Sequence, residues 1–236
     1  MSKFGSLEKR FTESLGLTDR PVGVLVLDKE PKGIPKFDGQ VPAGCAFWRL
    51  ALERGSFYTV PGDHYNCAVG SYTHGISLPD DRAEELPQTL TMMQDAGYLR
   101  AEEVPGIPTL QTAPAAIAYG PLGELRDEPS VVVFRVAAYS AMLLGETLGR
   151  VDDRSATPLW GRPTCMAVPG ALRSGAVASL GCIGNRTYTS LDDDKLYLVI
   201  SGSRLAEVAD ALVEVVCANK AMAEYAAQRL NQLPLS

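Results

Sequence analysis

Apolar positions along this chain alternate between two rhythms, short unbroken runs and longer stretches with helical spacing. Val22-Gly23-Val24-Leu25-Val26-Leu27 follows the breaker Asp19-Arg20-Pro21 and predicts a buried strand. Ala115–Leu122, Val131–Val136, Ala176–Leu180 and Lys195–Ile200 have the same character, and Ser56–Val60 is a shorter β-prone segment. Between them, Leu7–Leu15, Cys45–Gly55 and Tyr139–Leu148 predict helices, the second closed by a C-terminal glycine. Asp80–Leu99 carries Leu86, Leu90 and Met93 on one helical face, and Asp80-Asp81 can cap it. Pro31–Pro42 reads as a loop, and Ser203 as the N-cap of a long helix running toward Gln232.

Strands and helices that alternate in this way predict an α/β protein with a mixed sheet and flanking helices, with a strictly parallel doubly wound sheet as the fallback. All of 1–236 is expected to form one domain of two pseudo-symmetric, duplicated halves, about 22–122 and 130–232. Each half contains a cysteine, a short helix or turn, a short strand, then a second cysteine with a glycine just beyond it. In the first half these are Cys45, Phe57–Val60, Cys67 and Gly70; in the second, Cys165, Ala176–Leu180, Cys182 and Gly184. The last helix has apolar groups on more than one side, among them Leu205, Val208, Leu212, Val215, Val216 and Met222, so it is expected to be buried or to help form a homodimer.

Composition narrows the function classes. The 236 residues are 46% hydrophobic and carry a net charge of −6, with Lys and Arg scattered, which argues against nucleic-acid binding and against a cationic membrane surface. The N-terminal segment lacks the apolar stretch of a secretory signal, and no apolar run is long enough to cross a bilayer, so the expected location is the cytoplasm. Five cysteines, an odd number, are then expected to be reduced thiols.

The chemistry concentrates where cysteines meet histidine and glycine. His64 and His74, the only histidines, bracket Cys67. His64 is a candidate metal ligand, proton donor or structural polar residue, whereas His74 reads as structural or surface. Cys45, Cys67, Cys165 and Cys182 are candidates for a four-thiolate site holding an iron–sulfur cluster or another soft metal, although no compact Cys-x-x-Cys is present. Cys45 is placed near a helix N-terminus, where a thiolate would be favoured. Cys217 reads as a compact buried hydrophobe.

Gly181-Cys182-Ile183-Gly184-Asn185-Arg186 offers a second use, with Gly181, Gly184, Asn185 and Arg186 as a cofactor- or anion-binding loop. Gly184 is the position expected to need the freedom of a missing β-carbon. Asp192-Asp193-Asp194 reads as a solvated turn.

Gly44-Cys45, Asp63-His64-Tyr65-Asn66-Cys67 through Gly70, Arg162-Pro163-Thr164-Cys165 and Ser179-Leu180-Gly181-Cys182-Ile183-Gly184-Asn185-Arg186 together resemble the prokaryotic family named domain of unknown function 169. The likeness runs from about Val22 to Leu212 and implies no particular reaction. The residues themselves favour a metal or iron–sulfur protein with a redox or small-molecule-converting role, working with a small-molecule or redox partner. Two alternatives stand beside it. One is a metal-free enzyme using Cys67 or Cys182 as a thiolate nucleophile with His64 as general base. The other is a binding module for an anionic metabolite or cofactor.

Overall fold

The run Val22–Leu27 forms β1, a strand paired on both sides and therefore apolar on both faces. Its neighbours are β3 (Ala116–Pro121) and β4 (Val131–Ala137), both antiparallel to it. In the computed structural model, which describes residues 2–152 and 157–232, these belong to one seven-stranded sheet. The remaining strands are β2 (Phe57–Thr59), β5 (Leu159–Trp160), β6 (Ala176–Ser179) and β7 (Lys195–Ser201), and the order is β2-β3-β1-β4-β7-β6-β5. Only the edge pair β5–β6 is parallel, so the sheet is mixed and the strictly parallel fallback does not apply.

Period-two alternation sends the residues of each strand into two separate cores. On β4, Val131 and Val133 join one core while Val132, Phe134 and Val136 join the other. The rear layer consists of α1 (Lys3–Leu15), α5 (Ala138–Asp152) and α8 (Leu205–Gln232). Phe4, Leu7, Phe11 and Leu15 recur at helical spacing on the buried face of α1, and Phe11 meets Phe134 edge to face at 4.9 Å. The front layer contains α2 (Ala46–Arg54), α3 (Ala68–Thr73), α6 (Ala167–Ser174) and α7 (Ile183–Thr189). Its core is aromatic around Phe37, Phe47, Phe57 and Tyr119, and Trp48 packs edge-on against Tyr197.

The connections run β1-α2-β2-α3-β3 in the first part of the chain, with a further helix at Glu85–Asp95 before β3, and β4-α5-β5-α6-β6-α7-β7 in the second. Read outward from the central β1–β4 pair, the sheet continues through β3 to β2 on one side and through β7 to β6 on the other. Across the junction α2 packs on α7, and α3 packs on the turn Thr164–Met166.

Several local expectations are corrected. The Asp80–Leu99 stretch is a short turn at Asp80–Arg82 followed by α4 (Glu85–Asp95), so Asp80 and Asp81 begin the turn and do not cap α4. Ser203 sits inside the turn Gly202–Arg204, its hydroxyl 3.1 Å from that of Ser201, and does not cap α8. Val208, Leu212 and Val215 are buried on α8, whereas Met222, Tyr225 and Leu230 are exposed. Beyond Val216 the helix outruns the layer it packs on, which leaves Cys217 exposed where a buried residue was expected.

Candidate functional site

Cys45, Cys67, Cys165 and Cys182 all line one pocket of ≈380 Å³ on the front face. Cys45 flanks the N-terminus of α2, Cys165 lies in the turn leading into α6, and Cys67 and Cys182 are the residues that begin α3 and α7. The local reason for the last two is the same. Each sulfur accepts a backbone N–H from three residues on, Cys67 Sγ from Gly70 (3.3 Å) and Cys182 Sγ from Asn185 (3.5 Å). Sulfur thus takes the role that a serine or aspartate oxygen takes at most helix starts. Thr164, fully buried beside Cys165, holds the second loop by accepting the Cys182 N–H at 2.6 Å.

Burial decides the state of three of these thiols. It pushes Cys45 up to about 12, raises Cys67, and raises Cys165 well above the ordinary cysteine value. The thiolate expected at Cys45 from its helix start is therefore not the resting form, because loss of water outweighs the helix end. Among the described residues, no group of three His, Cys, Asp or Glu side chains stands in a ready metal-holding arrangement.

His64 is buried behind this wall and does not line the pocket. Its Nε2 lies 2.9 Å from Thr59 Oγ1, its ring packs edge-on against Phe47, and a β-carbon on Gly44 would come within 3.0 Å of its Nδ1. Burial, helped by His74, lowers it to about 3, so it is neutral at physiological pH. A general base needs reach to its nucleophile, and the position of His64 gives no support to that role. His74 is also buried; its Nδ1 is 2.9 Å from the Gly70 carbonyl oxygen, so it braces the turn that carries the Cys67 loop.

The Gly181–Arg186 segment divides in its roles. Gly181 has φ +78, and a β-carbon there would lie 2.7 Å from Leu191 Cδ2, so the conformational need assigned to Gly184 belongs to Gly181. Gly184 lines the pocket inside α7, where a β-carbon would meet only Tyr188 at an ordinary 3.6 Å. Arg186 donates to the carbonyls of Leu180 (2.6 Å), Asp192 (3.1 Å) and Lys195 (3.2 Å), which spends its guanidinium on tying the loop down and takes it out of the pocket lining. Asn185 also contributes to the pocket wall, but it is 1% exposed and its carboxamide is buried beside the Cys45 thiol and the Tyr197 hydroxyl.

Sequence reasoning missed the opposite wall. Leu86, Leu90 and Met93 of α4 close the pocket from above with Tyr98 and Arg162, whose guanidinium lies 4.6 Å from the centre of the Tyr98 ring. The helical spacing of Leu86, Leu90 and Met93 was visible, but spacing gives a face and not what it covers.

No helix among the described residues is long and apolar enough to cross a membrane. No curated protein and no solved structure matches the chain. A family model does match residues 10–211, so all four pocket cysteines lie inside it, and the chain belongs to domain of unknown function 169, described as an uncharacterised ArCR family.

Proposed function

We propose that the four-cysteine pocket binds a thiophilic centre, an iron–sulfur cluster or another soft metal, and serves a redox or small-molecule-converting role. The observation that carries this reading is the gathering of Cys45, Cys67, Cys165 and Cys182 from four separate loops onto one pocket. The donor set suits such a group: four thiols, two of them already accepting backbone N–H bonds of the kind that stabilise sulfur ligands and tune cluster potentials. When bound, the centre would supply electron transfer or Lewis-acid chemistry. The chain would contribute the thiolates, the amide donors and apolar walls that limit water. Loading would require the loops to draw together and the thiols to lose their protons, which makes uptake weaker as pH falls.

The site also joins the two parts of the chain, because α2 of the first part meets α7 of the second and α3 meets the turn holding Cys165. The contact pattern and the strand order support a reading in which duplicated halves each contribute half of the ligands. The test of function is a titration of the reduced, metal-free chain with Cd²⁺, followed by sulfur-to-metal charge-transfer absorption. Tight uptake that falls more than about tenfold on Cys→Ser change at any of the four positions, and is unaltered by Cys217→Ser, is the expected result. Uptake insensitive to all four changes would overturn the proposal.

A further inference from the structure

The pocket has thiols in its floor, but its roof and rim are hydrocarbon. Leu86, Leu90 and Met93 of α4 line it and join neither core of the protein, and no residue of α4 is fully buried. Met92 of α4 and Ile183 and Tyr188 of α7 line it too, while remaining 59%, 66% and 43% exposed. Exposed apolar side chains scattered singly are ordinary, but three on the lining of one cavity leave apolar surface from both helices facing solvent. The volume, ≈380 Å³, is in the size class of small-molecule sites.

Charge is concentrated at one point. Glu85 and Arg162 are the charged residues of the lining. Arg82, which lies outside the pocket, holds the Glu85 carboxylate through two hydrogen bonds, so that charge is answered from behind. Arg162 is answered less well. Its ion-pair partner, Glu103 Oε2, is 3.8 Å away, beyond the roughly 2.7–2.9 Å of a charge-assisted hydrogen bond, and that oxygen already accepts the Arg100 N–H at 2.7 Å. Among the described residues the Arg162 guanidinium donates no hydrogen bond; it lies 4.6 Å from the centre of the Tyr98 ring, and its side chain is 41% exposed, within reach of a solute. Beneath it, burial keeps Cys45 and Cys165 protonated and uncharged. One cation beside an apolar cavity matches an apolar body with one negative charge, whereas the second charge of a dianion would face Glu103 and Glu85 without a partner.

We infer that this pocket binds an aliphatic monocarboxylate, its chain laid under α4 against Leu86, Leu90 and Met93 and its carboxylate taken by the Arg162 guanidinium. The planar fork of arginine donates to both carboxylate oxygens at once. Leucine and methionine walls adapt to a flexible chain. Glu103 is the resting partner that the ligand carboxylate displaces, so it competes with binding. The ligand needs only the roof and the mouth of the pocket, and the inference does not rest on the thiophilic centre.

The test uses the full chain, reduced and metal-free, with three probes that share a chain and differ in head group: octanoate, octan-1-ol and octylammonium. Calorimetry at neutral pH should show octanoate binding at least about tenfold more tightly than the other two. Arg162→Gln should remove the preference over the alcohol without lowering the melting temperature, and Glu103→Gln, which removes the competing charge and leaves Arg162 in place, should tighten octanoate at least about twofold. Leu90→Gln should weaken octanoate and octan-1-ol alike, at least about threefold. Absence of octanoate binding, equal affinity for the three probes, a preference that survives Arg162→Gln, octanoate binding that Glu103→Gln does not tighten, or affinity untouched by Leu90→Gln would each overturn the inference. A chain that binds octanoate in this way yet takes up no Cd²⁺ would sink the thiophilic reading and leave this one standing.

Discussion

Cys67 and Cys182 begin their helices in the same way, yet the residue that offers its N–H to the sulfur is Gly70 in one loop and Asn185 in the other. Around Cys67 the loop is braced by buried histidines: His74 lies against the Gly70 carbonyl, Ser71 donates to the His64 carbonyl, and His64 Nε2 meets Thr59 while its Nδ1 is buried without a partner. Around Cys182 the loop is fixed by Arg186 and Thr164, and the buried Asn185 carboxamide lies beside Cys45 and Tyr197. One helix start is thus used twice, braced by buried histidines in the first loop and by an arginine and an asparagine in the second. Similar backbone placement is held in the two loops by different side chains.

The largest way to break this comparison is acid, because the first loop rests on two neutral histidines. Burial lowers both His64, to about 3, and His74 below their ordinary values, so the unfolded chain binds protons that the folded chain refuses. The stability His64 contributes is fully present above about pH 6.5 and is lost as pH falls from there toward about 3, at about 1.4 kcal/mol per pH unit inside that window, and His74 adds a loss in the same direction. Denaturant melts across this range should show the slope, and His74→Gln should make it shallower. A slope unchanged by that substitution would place the acid sensitivity elsewhere.

The next effect sharpens the contrast within the second loop. Gly181→Ala forces a side chain onto a backbone at φ +78 and against Leu191, and should cost about 1–3 kcal/mol in equilibrium unfolding. Gly184→Ala meets only Tyr188, at an ordinary contact distance, and should stay within about 0.5 kcal/mol. Reversal of that order would return the special position to Gly184. A smaller effect, on rates alone, concerns the thiols: alkylation of the native protein should reach exposed Cys217 first, Cys67 and Cys182 next, and buried Cys45 and Cys165 last. Mass spectrometry of a time course reads the order directly.

Much of the sheet was legible in the sequence because its strands are unbroken apolar runs, and β1 matches Val22–Leu27 in full. β5 was not, since two residues at a sheet edge carry no pattern. That four cysteines scattered along the sequence line a single pocket follows from packing across the two parts of the chain, which spacing cannot give. Roles within the sites were harder to read. Arg186 looks like an anion ligand until its three carbonyl partners are seen, and His64 looks reactive until Phe47, Thr59 and Gly44 are found around it. Burial and hydrogen-bond partners are properties of distant segments meeting, so they are absent from any local window of sequence.

The claim that the four cysteines serve one thiophilic centre is tested most directly by the composition of protein purified without oxygen. The account predicts bound metal in the wild type, accompanied by acid-labile sulfide and broad visible absorption if the centre is an iron–sulfur cluster. It also predicts a sharp loss of occupancy in Cys67→Ser and Cys182→Ser and none in Cys217→Ser. Colourless, metal-free wild-type protein that remains folded would contradict it.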